Sequence, residues 1–118
     1  MTSLPPWLTV TGDPVPDGID GHASRTRAGF FREVARMLQF PDYFGHNWDA
    51  FRDCLRDLHR PTIIVARADE LLLDEDPRQL TILLDVLADA AKDGLTATFA
   101  TSPGRAAALE DRVASALL

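Results

Sequence analysis

A chain of 118 residues is long enough to bury one hydrophobic core and too short for two. With 46% hydrophobic residues it is globular rather than disordered, and a formal net charge of −6 argues against direct binding to nucleic acid and for a basic partner. The single cysteine, Cys54, excludes an internal disulfide framework, and no apolar run approaches membrane-spanning length.

Met1-Thr-Ser-Leu-Pro-Pro6 has neither a basic start nor an apolar run, so no leader is expected and the reducing cytoplasm is the expected compartment. Trp7 to Thr11 alternates and is β-branched, which reads as a short strand. Residues 12 to 23, with three glycines, two prolines and three aspartates, read as a loop in which His22 is solvated. From Ser24 to Leu38 the residues Phe30, Phe31, Val34, Ala35, Met37 and Leu38 recur at helical spacing. The outer side of that helix is basic, with Arg25, Arg27, Arg32 and Arg36 against Glu33, but it lacks the interleaved aromatics that stack nucleic-acid bases.

Pro41 stops this helix and opens the most distinctive stretch, Pro41 to Leu55. Asn47 has the side chain of a helix N-cap, and Gly45 before it permits a backbone angle that other residues resist. From Trp48 the apolar positions 48, 51, 54, 55 and 58 form a one-sided stripe, which makes Cys54 a small core residue. Asp49, Arg52, Asp53, Arg56 and Asp57 occupy the other face, where the i, i+3 pairs Asp49/Arg52 and Asp53/Arg56 offset the rows of like charge. Spacing alone makes this a solvated, salt-laced surface.

Pro61 to Ala66 is a β-branched run suited to a strand covered on both faces. Ala68 to Asp74 reads as a short helix, and Asp69, Glu70, Asp74, Glu75 and Asp76 form the most acidic patch of the chain, either plain solvated surface or an attraction for a basic partner. Asp76 as N-cap, Pro77 at the first helical position and Gln79 completing a capping box start a helix that runs to about Lys92 and should be the most buried of the fold. Asp85 and Asp89 mark its wet edge, Gly94 ends it, and Leu95 to Ala100 gives a third strand. A terminal helix follows from Arg105 to Leu118, with Leu109, Val113, Ala116 and Leu117 on one face.

The order strand, helix, helix, strand, helix, helix, strand predicts an α/β fold. It is a small domain of two or three layers, with a three-stranded parallel sheet, about four helices and a short C-terminal helix. Residues 1–102 make the main unit; residues 103–118 form a helical extension of the same domain that either covers a sheet edge or mediates self-association.

Catalytic groups are sparse. His22, His46 and His59 show no metal-ligand spacing, and His46 with Asp49 and Asp53 is a weak set. No serine sits in a nucleophile elbow, no glycine-rich loop opens a helix, and Asp49 and Asp53 on adjacent turns of an exposed helix have no cleft to perturb them. Neither an enzyme nor a cofactor is expected.

Tyr43-Phe-Gly-His-Asn-Trp-Asp-Ala-Phe-Arg-Asp-Cys-Leu55 resembles the central segment of the barstar family, intracellular inhibitors of a secreted bacterial ribonuclease, and the order of elements fits from about Trp7 to Ser102. The resemblance implies a one-to-one complex of a monomeric inhibitor with a basic, guanyl-preferring ribonuclease. The loop and helix would plug the active site, and Asp53 would be the dominant anchor where the RNA phosphate binds. Partner contacts are then expected at Tyr43, Phe44, Gly45, His46, Asn47, Asp49, Arg52 and Asp53, with Asp89 at the periphery.

Three positions depart from the family pattern: Arg52 and Leu58 stand at tryptophan positions and His46 at a glutamate. Arg52 beside the anchor lowers the local negative charge and opposes a basic cleft, unless the target has its own carboxylate there. An immunity protein against a delivered toxin nuclease is the alternative of the same kind. An RNA-binding regulator using Arg25, Arg27, Arg32 and Arg36, and a metal-dependent hydrolase around His46, Asp49 and Asp53, rank below it.

Overall fold

A computed structural model describes residues 4–118; the leader expectation, in so far as it rests on Met1 to Ser3, lies outside the described residues. The sheet has four parallel strands rather than the three expected. They are β1 (Leu8–Thr11), β2 (Ile19–Asp20), β3 (Thr62–Ala66) and β4 (Thr96–Ala100), in the order β1-β4-β3-β2. The extra strand comes from the stretch read as loop. Two residues are too few to display an alternating pattern, yet Ile19 pairs with Val65 and is buried, and the Gly21 amide donates to the Ala66 carbonyl at 2.7 Å. β3 is less enclosed than its composition suggests, since Ile63 and Val65 are buried while Ile64 and Ala66 are half-buried.

Four α-helices complete the domain: α1 (Arg27–Leu38), α2 (Trp48–Arg56), α3 (Pro77–Ala91) and α4 (Ala106–Leu117). α1 begins later than Ser24 because its start is taken up elsewhere: the Ser24 and Arg25 carbonyls accept hydrogen bonds from the Leu72 and Asp74 amides, and Thr26 serves as the N-cap. The expected helix from Ala68 to Asp74 shrinks to one 3-10 turn, Ala68–Glu70, flanked by left-handed Arg67 and Leu72. Burial decides this, because Leu71 and Leu72 both turn into the core.

α3 carries five buried residues, Leu80, Leu83, Leu84, Val86 and Leu87, and α4 adds Leu109 and Val113 to the same core cluster. Among the described residues no helix is long and apolar enough to cross a membrane. One side of the core is aromatic: Phe30 and Phe31 of α1 meet Phe44, Trp48 and Phe51 with ring centroids 4.9–6.5 Å apart. That cluster lies directly beneath the Pro41 to Leu55 stretch.

Candidate protein-binding site

The loop before α2 is fixed from both ends. Phe44 is buried with its ring 5.0 Å from Phe40 and 5.9 Å from Phe31, so it anchors the loop while its neighbour Tyr43 stands 83% exposed. At the other end the Asn47 amide bonds in two directions: Oδ1 accepts from the Ala50 N–H at 2.8 Å, capping α2, and Nδ2 donates to the Gly45 carbonyl at 2.6 Å. The left-handed residue is His46, at φ 37°, not Gly45 as the sequence suggested. Gly45 serves closeness instead, since a Cβ there would meet Asn47 Nδ2 at 3.1 Å. His46 lays its ring on Phe44, at a centroid distance of 5.1 Å.

In α2, Phe51 and Leu55 face inward and Cys54 is half-buried, its thiol pushed up by burial and by the nearby Asp57 and Asp53 carboxylates. Trp48 Nε1 donates to Gln79 Oε1 at 2.9 Å, so Gln79 does not close the expected capping box but ties α2 to α3. Asp49 and Asp53 point outward on adjacent turns, both exposed. Asp53 has a long contact of 3.5 Å with Arg56, and its side chain stays 74% exposed. The expected Asp49/Arg52 pair does not form: Arg52 reaches across to Asp89 on α3, 3.7 Å away. Leu58 lines the small cleft between the two helices there, a space of about 110 Å³ that Arg52 and Asp89 border.

The acidic patch near η-turn Ala68–Glu70 is spent internally. Asp69 accepts from Thr101 and Arg105 at 2.7 and 2.8 Å, Glu70 from Arg25 and His22, Asp74 from Arg25, and Glu75 from the Arg27 amide. Burial pushes the Asp69 carboxyl up, but Arg105 and Thr101 outweigh it and hold it below the usual carboxylate range. Glu70 is held low chiefly by His22 and also by Arg25, and Asp74 by Arg25. The basic side of α1 is partly committed too, through Arg25 and through the 3.1 Å pair of Arg36 with Glu33.

Asp20 and Arg67 form a 2.7 Å pair where β2 and β3 end. Apart from Arg36 with Glu33, these ties join residues more than thirty positions apart in the sequence, which is why local spacing gives no sign of them. Among the described residues, no group of three or more His, Cys, Asp or Glu side chains is placed to hold a metal ion.

The site therefore offers a rigid loop, one exposed tyrosine and a helix face whose carboxylates project into solvent. The family model for barstar, described as the barnase inhibitor, matches residues 17–103, which takes in the loop, α2, α3 and three of the four strands. No curated protein matches the chain.

Proposed function

This chain belongs to the barstar family, and we propose that it inhibits a secreted, guanyl-preferring ribonuclease inside the cell that makes it, one inhibitor covering one active site. The reading rests on the outward pair Asp49 and Asp53, set on a helix whose approach loop is locked by Phe44 and Asn47. A ribonuclease site is lined with cationic donors that stabilise a phosphoryl transition state, and a carboxylate gives those donors a charge-assisted substitute for phosphate.

Asp53 is the anchor in this reading. Asp49 in the first turn supports it, while Tyr43 and the backbone from Gly45 to Asn47 fill the rim. Phe44, His46 and Asn47 contribute by holding the loop in its bound shape, which lowers the ordering cost of association. A net charge of −6 favours fast capture of a basic enzyme. Arg25 and Arg36 are engaged by Glu70, Asp74 and Glu33, which weighs against RNA as the ligand.

The test is hydrolysis of RNA by barnase with rising amounts of the purified chain. Activity should end near one equivalent, inhibition should weaken as salt rises, and Asp53→Ala should lose at least a hundredfold in inhibition, roughly the cost of truncating one partner of a desolvated charge pair. Undiminished inhibition by Asp53→Ala overturns the anchor assignment.

A further inference from the structure

Arg52 and Arg56 both carry a charge that opposes the proposed use of the α2 face; Arg56 stays beside Asp53 at 3.5 Å, so where the Arg52 guanidinium goes decides whether Asp49 is left unpaired. Asp49 and Asp89 compete for Arg52, with Asp93 also bordering the cleft. Asp49 is one turn back at i, i+3, the spacing at which helix ion pairs form; Asp89 lies on α3. The side chain takes the second: Nη1 stands 3.7 Å from Asp89 Oδ2, both side chains 40% exposed, and among the described residues Asp49 has no ion-pair partner. The choice leaves the Arg52 Nε buried without an acceptor, an arrangement that side-chain hydrogen bonding alone would not select. Asp89 also faces Lys92, 3.7 Å from its other oxygen, so it holds two cations on the α3 side of the cleft.

A pair this long and this exposed adds little to stability. What it does is set the position of a positive charge. We propose that Asp89 is a positioning residue: by holding the Arg52 guanidinium over the α2–α3 cleft it keeps Asp49 unneutralised, and so preserves the two-carboxylate face that a cationic partner site requires. The proposal rests on the reading of that face as the binding surface, and it assigns Asp89 a role within the inhibitor instead of a contact with the partner. Without Asp89, Arg52 is free to turn back to Asp49 at i, i+3, and the face then loses the carboxylate that had no ion-pair partner, Asp53 already having its long contact with Arg56.

Two measurements test it. The first is the cycle of Asp89→Asn, Arg52→Ala and the double variant, read as inhibition of barnase. Asp89→Asn should weaken inhibition roughly tenfold in the native background and less than about twofold in the Arg52→Ala background, the coupling expected of residues that act through one another. Equal losses in both backgrounds show that Asp89 acts without Arg52, and overturn the proposal.

The second needs no nuclease. The side-chain carboxyl carbon of Asp49 and the Nε–Hε signal of Arg52 are followed by NMR in the free full-length chain. Both signals should move in Asp89→Asn, and the Asp49 carbon should return toward its Arg52→Ala position in the double variant. An Asp49 signal that ignores Asp89→Asn overturns the positioning role even where barnase is inhibited. Moved signals in a chain that leaves barnase untouched support the positioning and overturn only the barnase-type reading.

Discussion

Trp48 and Gln79 are joined by a 2.9 Å hydrogen bond that links the first turn of α2 to the first turn of α3. The indole also packs against Phe30, Phe31 and Phe51, so one side chain fixes the start of α2 both by ring contact and by a directional bond. Trp48→Phe keeps most of the packing and leaves Gln79 Oε1 without its donor. Urea unfolding should show a loss of about 1 kcal/mol, the usual net contribution of such a bond. A variant as stable as the native chain would show the bond to be energetically idle.

Asn47 performs two tasks that separate by substitution. Asn47→Ala removes the cap of α2 and the link to Gly45, and should cost about 1–2 kcal/mol in unfolding free energy. Asn47→Asp retains the acceptor for the Ala50 amide while losing the donor to the Gly45 carbonyl. It should therefore stay close to native stability yet inhibit ribonuclease less well, because the loop is no longer closed on itself. Parallel loss of stability and inhibition in Asn47→Asp would merge the two tasks.

Acid should destabilise the fold through the 20–76 ion-pair region. Asp20, Asp69, Glu70 and Asp74 all have folded-state values below their ordinary ones: burial raises Asp20 but Arg67 outweighs it, burial raises Asp69 but Arg105 and Thr101 outweigh it, His22 leads for Glu70, and Arg25 leads for Asp74. A depressed carboxylate stabilises the fold above its unfolded value, about 4, and that stability disappears as pH falls through the folded value. Stability should hold from neutral pH to about 5 and decline below about 4. Arg105→Ala should flatten the acid limb, as thermal melts at stepped pH would show; an unchanged limb would remove Asp69 from the account.

The C-terminal helix should be indispensable to the core. Leu109 and Val113 are 3% and 0% exposed and sit in the cluster that also contains Leu80 and Leu84. Leu109→Ala should cost about 2–5 kcal/mol by lost burial and an unfilled cavity. Denaturant unfolding checks this, and a cost below about 1 kcal/mol, the level of an ordinary surface change, would mark α4 as a loosely attached appendage.

Features written in local spacing were legible before the structure: α2 and α3 with their caps Asn47 and Asp76, the β-branched run of β3, and the loop–helix segment that carries the family resemblance. Features that depend on a distant partner were not. β2 is two residues long and exists through its pairing with β3. Gln79 has the spacing of a capping box, but the Trp48 indole competes for it, and Arg52 has the spacing of a helix pair with Asp49, but Asp89 competes for that. At Gly45 and His46 the glycine drew attention because of its freedom, whereas ring stacking on Phe44 and closure by Asn47 place the left-handed turn one residue later. Tyr43, Asp49 and Asp53 stand out by resemblance alone, and the structure adds that they are exposed.

The strand order carries a consequence for synthesis. β4, the last strand made, lies in the middle of the sheet, between β1 and β3, with Leu8 opposite Ala97. A chain emerging from the ribosome cannot close the sheet around β1 until Thr96–Ala100 has been translated, and such distant pairings are slow to form. If the partner is a toxic enzyme made in the same cell, protection begins only after β4 has emerged and paired, so the timing of expression matters as much as the strength of the complex.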